Sequence, residues 1–426
     1  MTAIPSNHRI DSAFQFIQTG YQFIPNECDR LETNIFETRF FGKKTICLRG
    51  PKAAELFYDE TRFERKGVCP VRLVKTLFGK GGVQGLDDTD HRQRKEMMMS
   101  LMSEERIDEL SQHMHKHLDQ QSAQWETQNR VEILDAMHHV LSHAICEWCG
   151  IDPTQQDMEK VTQDMAMMVD GSGGVGPRHW KARRARKRGD RWAGQLIEQT
   201  RAGKLNPPED SALWVFAKHQ DRKGNLLPAQ VAGVDLQNII RPTIAIARWI
   251  MFAVHAMHTQ PQAFQELKAN SDIDAADRFG EEVRRYYPFF PMVAARTRSA
   301  FEWNGYEFPA KTRVFLDLYG TTHHPHYWSN PDDFIPDRFL SDIDRKFTMI
   351  PQGGGDYHQN HRCAGEFITR RLLRDAVRYM ADQVDFEVPA QNLSISMTRI
   401  PAEPADRMLL SNVRKRVPSD TPAYVG

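Results

Sequence analysis

Apolar positions recur at three- and four-residue spacing over residues 102–124, 131–149, 155–169, 178–200, 229–257, 259–269, 277–287 and 364–384. That is the period of helices that bury one face. Strand patterns are fewer. The clearest is FEWNGYEFPAKTRVFLDLY, where Asn304-Gly305 between aromatic-rich runs predicts a type I′ hairpin. A second pairing is expected within IFETRFFGKKTICLRG near the amino terminus. The pattern predicts a mainly α fold with small β-sheets.

A length of 426 residues suggests about two or three domains by the usual size per domain. No fixed-period repeat or low-complexity linker divides the chain, so one domain over residues 1–426 is expected. Lys plus Arg and Asp plus Glu balance at 56 each, which leaves no single-sign field pointing to nucleic acid or an acidic partner. The first 20 residues carry no basic start followed by an apolar block, and Thr243 to Met257 is too short and, with Arg248 and His255, too polar to span a bilayer. These features point to a cytoplasmic protein with no transmembrane segment. Five of the six cysteines read as small buried apolar residues, Cys363 being the exception.

Several local motifs carry less than they suggest. GSGGVG at 171–176 fits a dinucleotide fingerprint but follows a helical pattern rather than a strand, so an interhelix loop is expected. RHWKARRARKRGDR at 178–191 reads as the solvated face of one helix, with Trp180 and Trp192 on its packed side. The His113/His117 and His139/His143 pairs have zinc-like spacing without the glutamate of a zinc-protease motif, and CEWC at 146–149 lacks a βαβ context. The histidines read as surface or core residues, and CEWC as helix packing.

The run FTMIPQGGGDYHQNHRCAGEFITRRLL, residues 347–373, differs in character: a glycine-rich loop, a lone cysteine, Gly365 two residues on, then an amphipathic helix. A cysteine just before a helix is held as thiolate by the amide dipoles and by nearby cations such as Arg362. One thiolate cannot make a zinc or iron–sulfur site but suffices as the protein ligand of haem iron. With Glu282-x-x-Arg285 and PDDFIPDRF at 331–339 in the same order, the chain resembles the cytochrome P450 superfamily of haem-thiolate oxygenases. It departs from that family's common cysteine loop by the longer insert QGGGDYHQN.

The resemblance implies haem b bound through Cys363, with Gly365, His361 and Arg362 in the cysteine loop and Lys95, Arg65 and His91 beside the haem propionates. For His91 a solvated cationic face is nearly as good a reading. Where conventional members place an acid and a threonine above the haem, this chain reads Ile240-Arg241-Pro242-Thr243, with no Asp or Glu after Asp235 in that helix. Pro242 removes a backbone donor and should kink the helix. Arg241 in an apolar setting needs an anion, for which a carboxylate is the best geometric match. Either an internal acid or a bound substrate supplies it.

The combination is similar to the fatty-acid peroxygenase branch. That implies hydrogen-peroxide-dependent hydroxylation of a long-chain fatty acid at the α or β carbon, with no redox partner protein. The substrate carboxylate on Arg241 would act as general acid-base. Gln84 resembles a polar residue near the haem, and glutamine there leans toward hydroxylation rather than alkene-forming decarboxylation. Phe78, Val169, Phe289 and Phe290 would line the alkyl channel. The competing readings are a monooxygenase fed by a reductase, a decarboxylase and a non-catalytic haem-thiolate sensor.

Overall fold

The long apolar stretch becomes the helix Ala229–Thr259, which runs without a break through Pro242. Every residue from Ala232 to Met257 except Pro242 is buried, as an all-round apolar helix must be. In this computed structural model, which describes residues 3–416, it is the one described helix apolar and long enough to cross a membrane, and it lies inside the protein. Helices Ile133–Trp148, Pro177–Arg201 and Glu366–Gln383 pack around it.

The other helical periods fall where they were expected, with ends set by local chemistry. Glu104–Trp125 starts at Ser103, whose hydroxyl accepts from Arg106 N at 3.3 Å. Ile273–Tyr286 starts at Asp272, whose carboxylate accepts from Asp274 N at 3.1 Å. Both are side-chain caps on otherwise unpaired amides. GSGGVG is a loop between helices Met158–Asp170 and Pro177–Arg201.

The sheets are small, as expected. Asn304 (φ 50°) and Gly305 (φ 78°) join Phe301–Trp303 to Tyr306–Phe308, the positive pair a type I′ turn needs. Phe41 and Gly42 do the same between Ile35–Phe40 and Lys43–Leu48. That hairpin joins Arg313–Asp317 by a parallel pairing, and Met292–Thr297 and Phe63–Glu64 complete five strands. Segments distant in sequence therefore share one sheet, which no local pattern could indicate.

Two expectations change. Trp180 is 60% exposed and not on the packed side of its helix, whereas Trp192 is partly buried and donates to Gln156 Oε1 at 2.9 Å. Cys69 is only partly buried, while Cys28, Cys47, Cys146 and Cys149 are core residues. His113 and His117 both face Glu147, at 2.8 and 3.2 Å, His143 Nδ1 lies 2.9 Å from the His139 carbonyl of its own helix, and no metal-binding cluster occurs among the described residues.

Candidate active site

The cysteine loop ends at the helix Glu366–Gln383, with Gly365 at its first cap. Cys363 N donates to Gln352 O at 3.3 Å, and Gln352 Nε2 reaches both Cys363 Sγ at 3.8 Å and Thr369 Oγ1 at 3.0 Å. A Cβ built on Gly365 would meet only Cys363 Sγ, at 3.9 Å, so the glycine leaves space beside the sulfur that a side chain would fill.

The source of positive charge near the sulfur differs from the sequence reading. Arg362 is bound to Glu366 at 2.8 and 3.2 Å and to Gly355 O at 3.2 Å, and lies 4.0 Å over the Tyr357 ring. It is part of the scaffold and not a partner of the thiol. The nearby cation is Lys95, on helix Asp88–Met99, whose Nζ donates to the Arg362 carbonyl. Burial pushes the Cys363 thiol up and the Lys95 ammonium opposes that shift.

Arg65, His91 and Lys95 lie close enough for both cations to act on the imidazole. His91 and Lys95 are 2% and 3% exposed, so neither belongs to a solvated cationic face. His91 stacks on His361 with centroids 3.8 Å apart. Arg65 donates to Phe57 O at 3.1 Å and lies 4.1 Å over the Phe57 ring. The adjacent carboxylate, Asp87, is taken by the amides of Arg65 and Lys66 at 2.7 and 2.8 Å. Burial lowers Arg65 to about 10 and Lys95 to about 8. A surplus of buried cations beside a thiol with open space fits a flat ligand carrying two carboxylates, as haem b does.

Arg241, on the long helix Ala229–Thr259, is 3% exposed. It donates to the Leu77 carbonyl and, through Nη2, to Asn238 Oδ1 at 3.0 Å. No carboxylate among the described residues makes an ion pair with it. Asp235, the last acid in the helix, is bound to Arg94 and accepts from Val83 N at 3.2 Å. The internal-acid reading of Arg241 is thereby excluded among these residues. Burial, then the neighbouring Arg186, lowers Arg241 to about 9, so it stays charged at neutral pH. A buried charge held only by neutral acceptors is a ready anion site.

Three partners of Arg241 were not singled out from the sequence. Asn238 bridges it to Gln84, whose Oε1 accepts from Asn238 Nδ2 at 3.1 Å. Leu77 presents its carbonyl from a π turn, Val74–Phe78, of the sort that marks functional backbone. Arg186, inside the stretch read as a solvated face, is 2% exposed. It donates to the same Leu77 carbonyl at 3.0 Å and pairs with Asp190 at 2.7 Å. Gly79 (φ 82°) follows the turn, and a Cβ there would lie 2.1 Å from Arg186 Nη2. The spacing of Asn238, one turn before Arg241, was the available signal. Arg186 had none.

The four apolar positions join one core cluster, Val169 and Phe289 buried and Phe78 and Phe290 partly so. The π turn packs against the helix carrying Val169. Phe289 stacks on Trp249 with centroids 4.7 Å apart, and Phe290 meets Phe289 edge-on at 4.8 Å. Phe289 is therefore fixed by the core. Glu282 and Arg285, both fully buried, pair at 2.8 Å, and Arg338 from PDDFIPDRF reaches Glu282 at 3.1 Å. The two motifs thus close on each other.

Comparison with known proteins gives a consistent picture. A cytochrome P450 family model matches residues 262–387. Among curated proteins, cytochrome P450 71D18 of Mentha gracilis is 39% identical over 80 residues, which is 18% of this chain and 16% of the relative. Matches to solved structures run end to end. Cytochrome P450EX alpha with myristic acid is 38% identical with a TM-score of 0.94, covering 98% of this chain and 100% of that one. A variant of cytochrome P450 OleT in complex with arachidonic acid is 33% identical with a TM-score of 0.95, covering 99% and 100%.

Proposed function

This chain belongs to the cytochrome P450 family of haem-thiolate oxidoreductases, and from that premise we propose that it is a fatty-acid peroxygenase. It hydroxylates long-chain fatty acids at the α or β carbon with hydrogen peroxide. The observation that carries the proposal is Arg241: a buried guanidinium on the long helix whose hydrogen-bond acceptors are a backbone carbonyl and an amide. The similar structures with myristic and arachidonic acids support a fatty acid as the missing anion.

Haem, when held by Cys363, supplies the peroxide cleavage and oxygen transfer, favoured by electron donation from the thiolate. The chain's residues do the rest. Lys95, Arg65 and His91 take the propionates. Arg241, held by the Leu77 carbonyl and Asn238, grips the fatty-acid carboxylate in a bidentate pair. A carboxylate oxygen then takes a proton from hydrogen peroxide and returns it to the oxygen that leaves as water. Phe78, Val169, Phe289 and Phe290 hold the alkyl chain so that the carbons next to the carboxyl group are the ones presented. Pro242 has no N–H to donate to the Asn238 carbonyl one turn back, in the same turn that presents Arg241. Gln84, an amide tied to Asn238, neither gives nor takes a proton, which supports hydroxylation over decarboxylation. No electron-transfer partner is needed, and the proposed setting is cytoplasmic.

The test supplies the holoenzyme with a saturated fatty acid and hydrogen peroxide alone, with products identified by mass spectrometry. Hydroxylation next to the carboxyl group is expected, and Arg241→Ala should lose it while retaining haem. Turnover by Arg241→Ala without an added small carboxylic acid overturns the proposal. Activity that appears only with electron donors replaces it by a reductase-dependent monooxygenase.

A further inference from the structure

On the helix Pro177–Arg201, Trp180, Arg184, Lys187 and Arg191 follow one another at steps of four, three and four, which places them on one stripe with Arg183 at its edge. All are exposed. Within the same helix Arg186 and Arg188 pair with Asp190 and Asp164, whereas no carboxylate among the described residues pairs with the outer cations. In a chain of zero net charge, this is local segregation.

The amino-terminal end of the stripe is apolar. Trp180 is 60% exposed, Val175 in the preceding loop 69%, and Val71 64%. The short helix bearing Val71 lies against that loop, with Arg72 Nη2 donating to Gly174 O at 2.7 Å. A tryptophan and two aliphatic side chains facing water beside a row of unpaired cations need an explanation beyond solubility.

We propose that this face docks on an anionic lipid bilayer. The stripe cations meet lipid phosphates, and Trp180, Val175 and Val71 enter the boundary between headgroups and acyl chains. Nucleic acid fits the surface less well, because a phosphate backbone offers nothing to the two valines. Docking would also bring the π turn Val74–Phe78, which follows the Val71 helix directly, next to the lipid phase. The inference is independent of the oxidation chemistry, since it is read from binding alone.

The holoenzyme is sedimented with phosphatidylglycerol vesicles and with phosphatidylcholine vesicles over a range of salt. Binding to the anionic vesicles only, weakening with salt, is expected. Each cation removed should lower the partition coefficient roughly fivefold, so the triple variant Arg183→Gln, Arg184→Gln, Lys187→Gln should lose on the order of a hundredfold. Trp180→Ser should lose roughly tenfold. Absence of binding by the unaltered protein, or triple-variant binding equal to it, overturns the proposal. Duplex DNA binding of comparable strength, with vesicle binding indifferent to Trp180→Ser, overturns it in favour of a nucleic-acid surface.

Discussion

Asn238→Asp places a carboxylate where Arg241 now meets a neutral amide. The side chain is 7% exposed and its oxygen is 3.0 Å from Arg241 Nη2, so the new carboxylate would be both close and shielded. Opposite charges about 4 Å apart at an effective dielectric constant of about 20 attract by about 4 kcal/mol. The charge-assisted hydrogen bond already present contributes about 2 kcal/mol. The difference, about 2 kcal/mol, is what an incoming carboxylate must now overcome, equivalent to a roughly thirtyfold weaker affinity. Gln84, which accepts from Asn238 at present, can turn its amide over to donate, so the fold should tolerate the change. The assay is equilibrium titration of the holoprotein with myristic acid, followed through the haem absorbance, beside the alcohol of equal chain length. The acid should bind about thirtyfold more weakly and the alcohol unchanged. Asn238→Ala, which adds no charge, should weaken the acid only severalfold. Unaltered affinity of Asn238→Asp for myristic acid would refute the claim that Arg241 is an unsatisfied cation awaiting an anion.

Other consequences follow from the same geometry. Glu282→Gln leaves Arg285 and Arg338 buried without their carboxylate and should cost about 3–5 kcal/mol, measurable by denaturant unfolding. A loss below 1 kcal/mol would contradict the assigned burial. Arg65→Leu should speed haem loss to apomyoglobin without changing far-ultraviolet circular dichroism, whereas an unchanged rate would remove Arg65 from the propionate site. Asp317 is buried with one oxygen unpartnered, and desolvation raises its carboxyl to about 8. Since the native state then holds a proton that the unfolded chain has released, stability should fall as pH rises between about 4 and 8, by up to about 1.4 kcal/mol per unit. Asp317→Asn should flatten that slope in urea unfolding at pH 5, 7 and 8.5. An equal slope in the variant would show that other groups cause it.

What the chain determined by itself is periodic or contiguous. The helices, the two tight hairpins and the run around Cys363 were legible because each depends on residues within a few positions of one another. Arg241 beside Pro242 was legible as an anomaly, since an unswitchable charge in an apolar helix conflicts with its surroundings whatever the fold. Only the tertiary structure decided whether that charge was already neutralised. It assigned Asp235 to Arg94 and Asp190 to Arg186, leaving Arg241 to a backbone carbonyl from residue 77 and an amide. It likewise took Arg362 from the sulfur and put Lys95 there, and turned Trp180 outward. Ion pairing in a buried site depends on distances of a few ångströms between segments far apart in sequence. Electrostatic attraction changes steeply over that range, while the linear order of residues carries no measure of it.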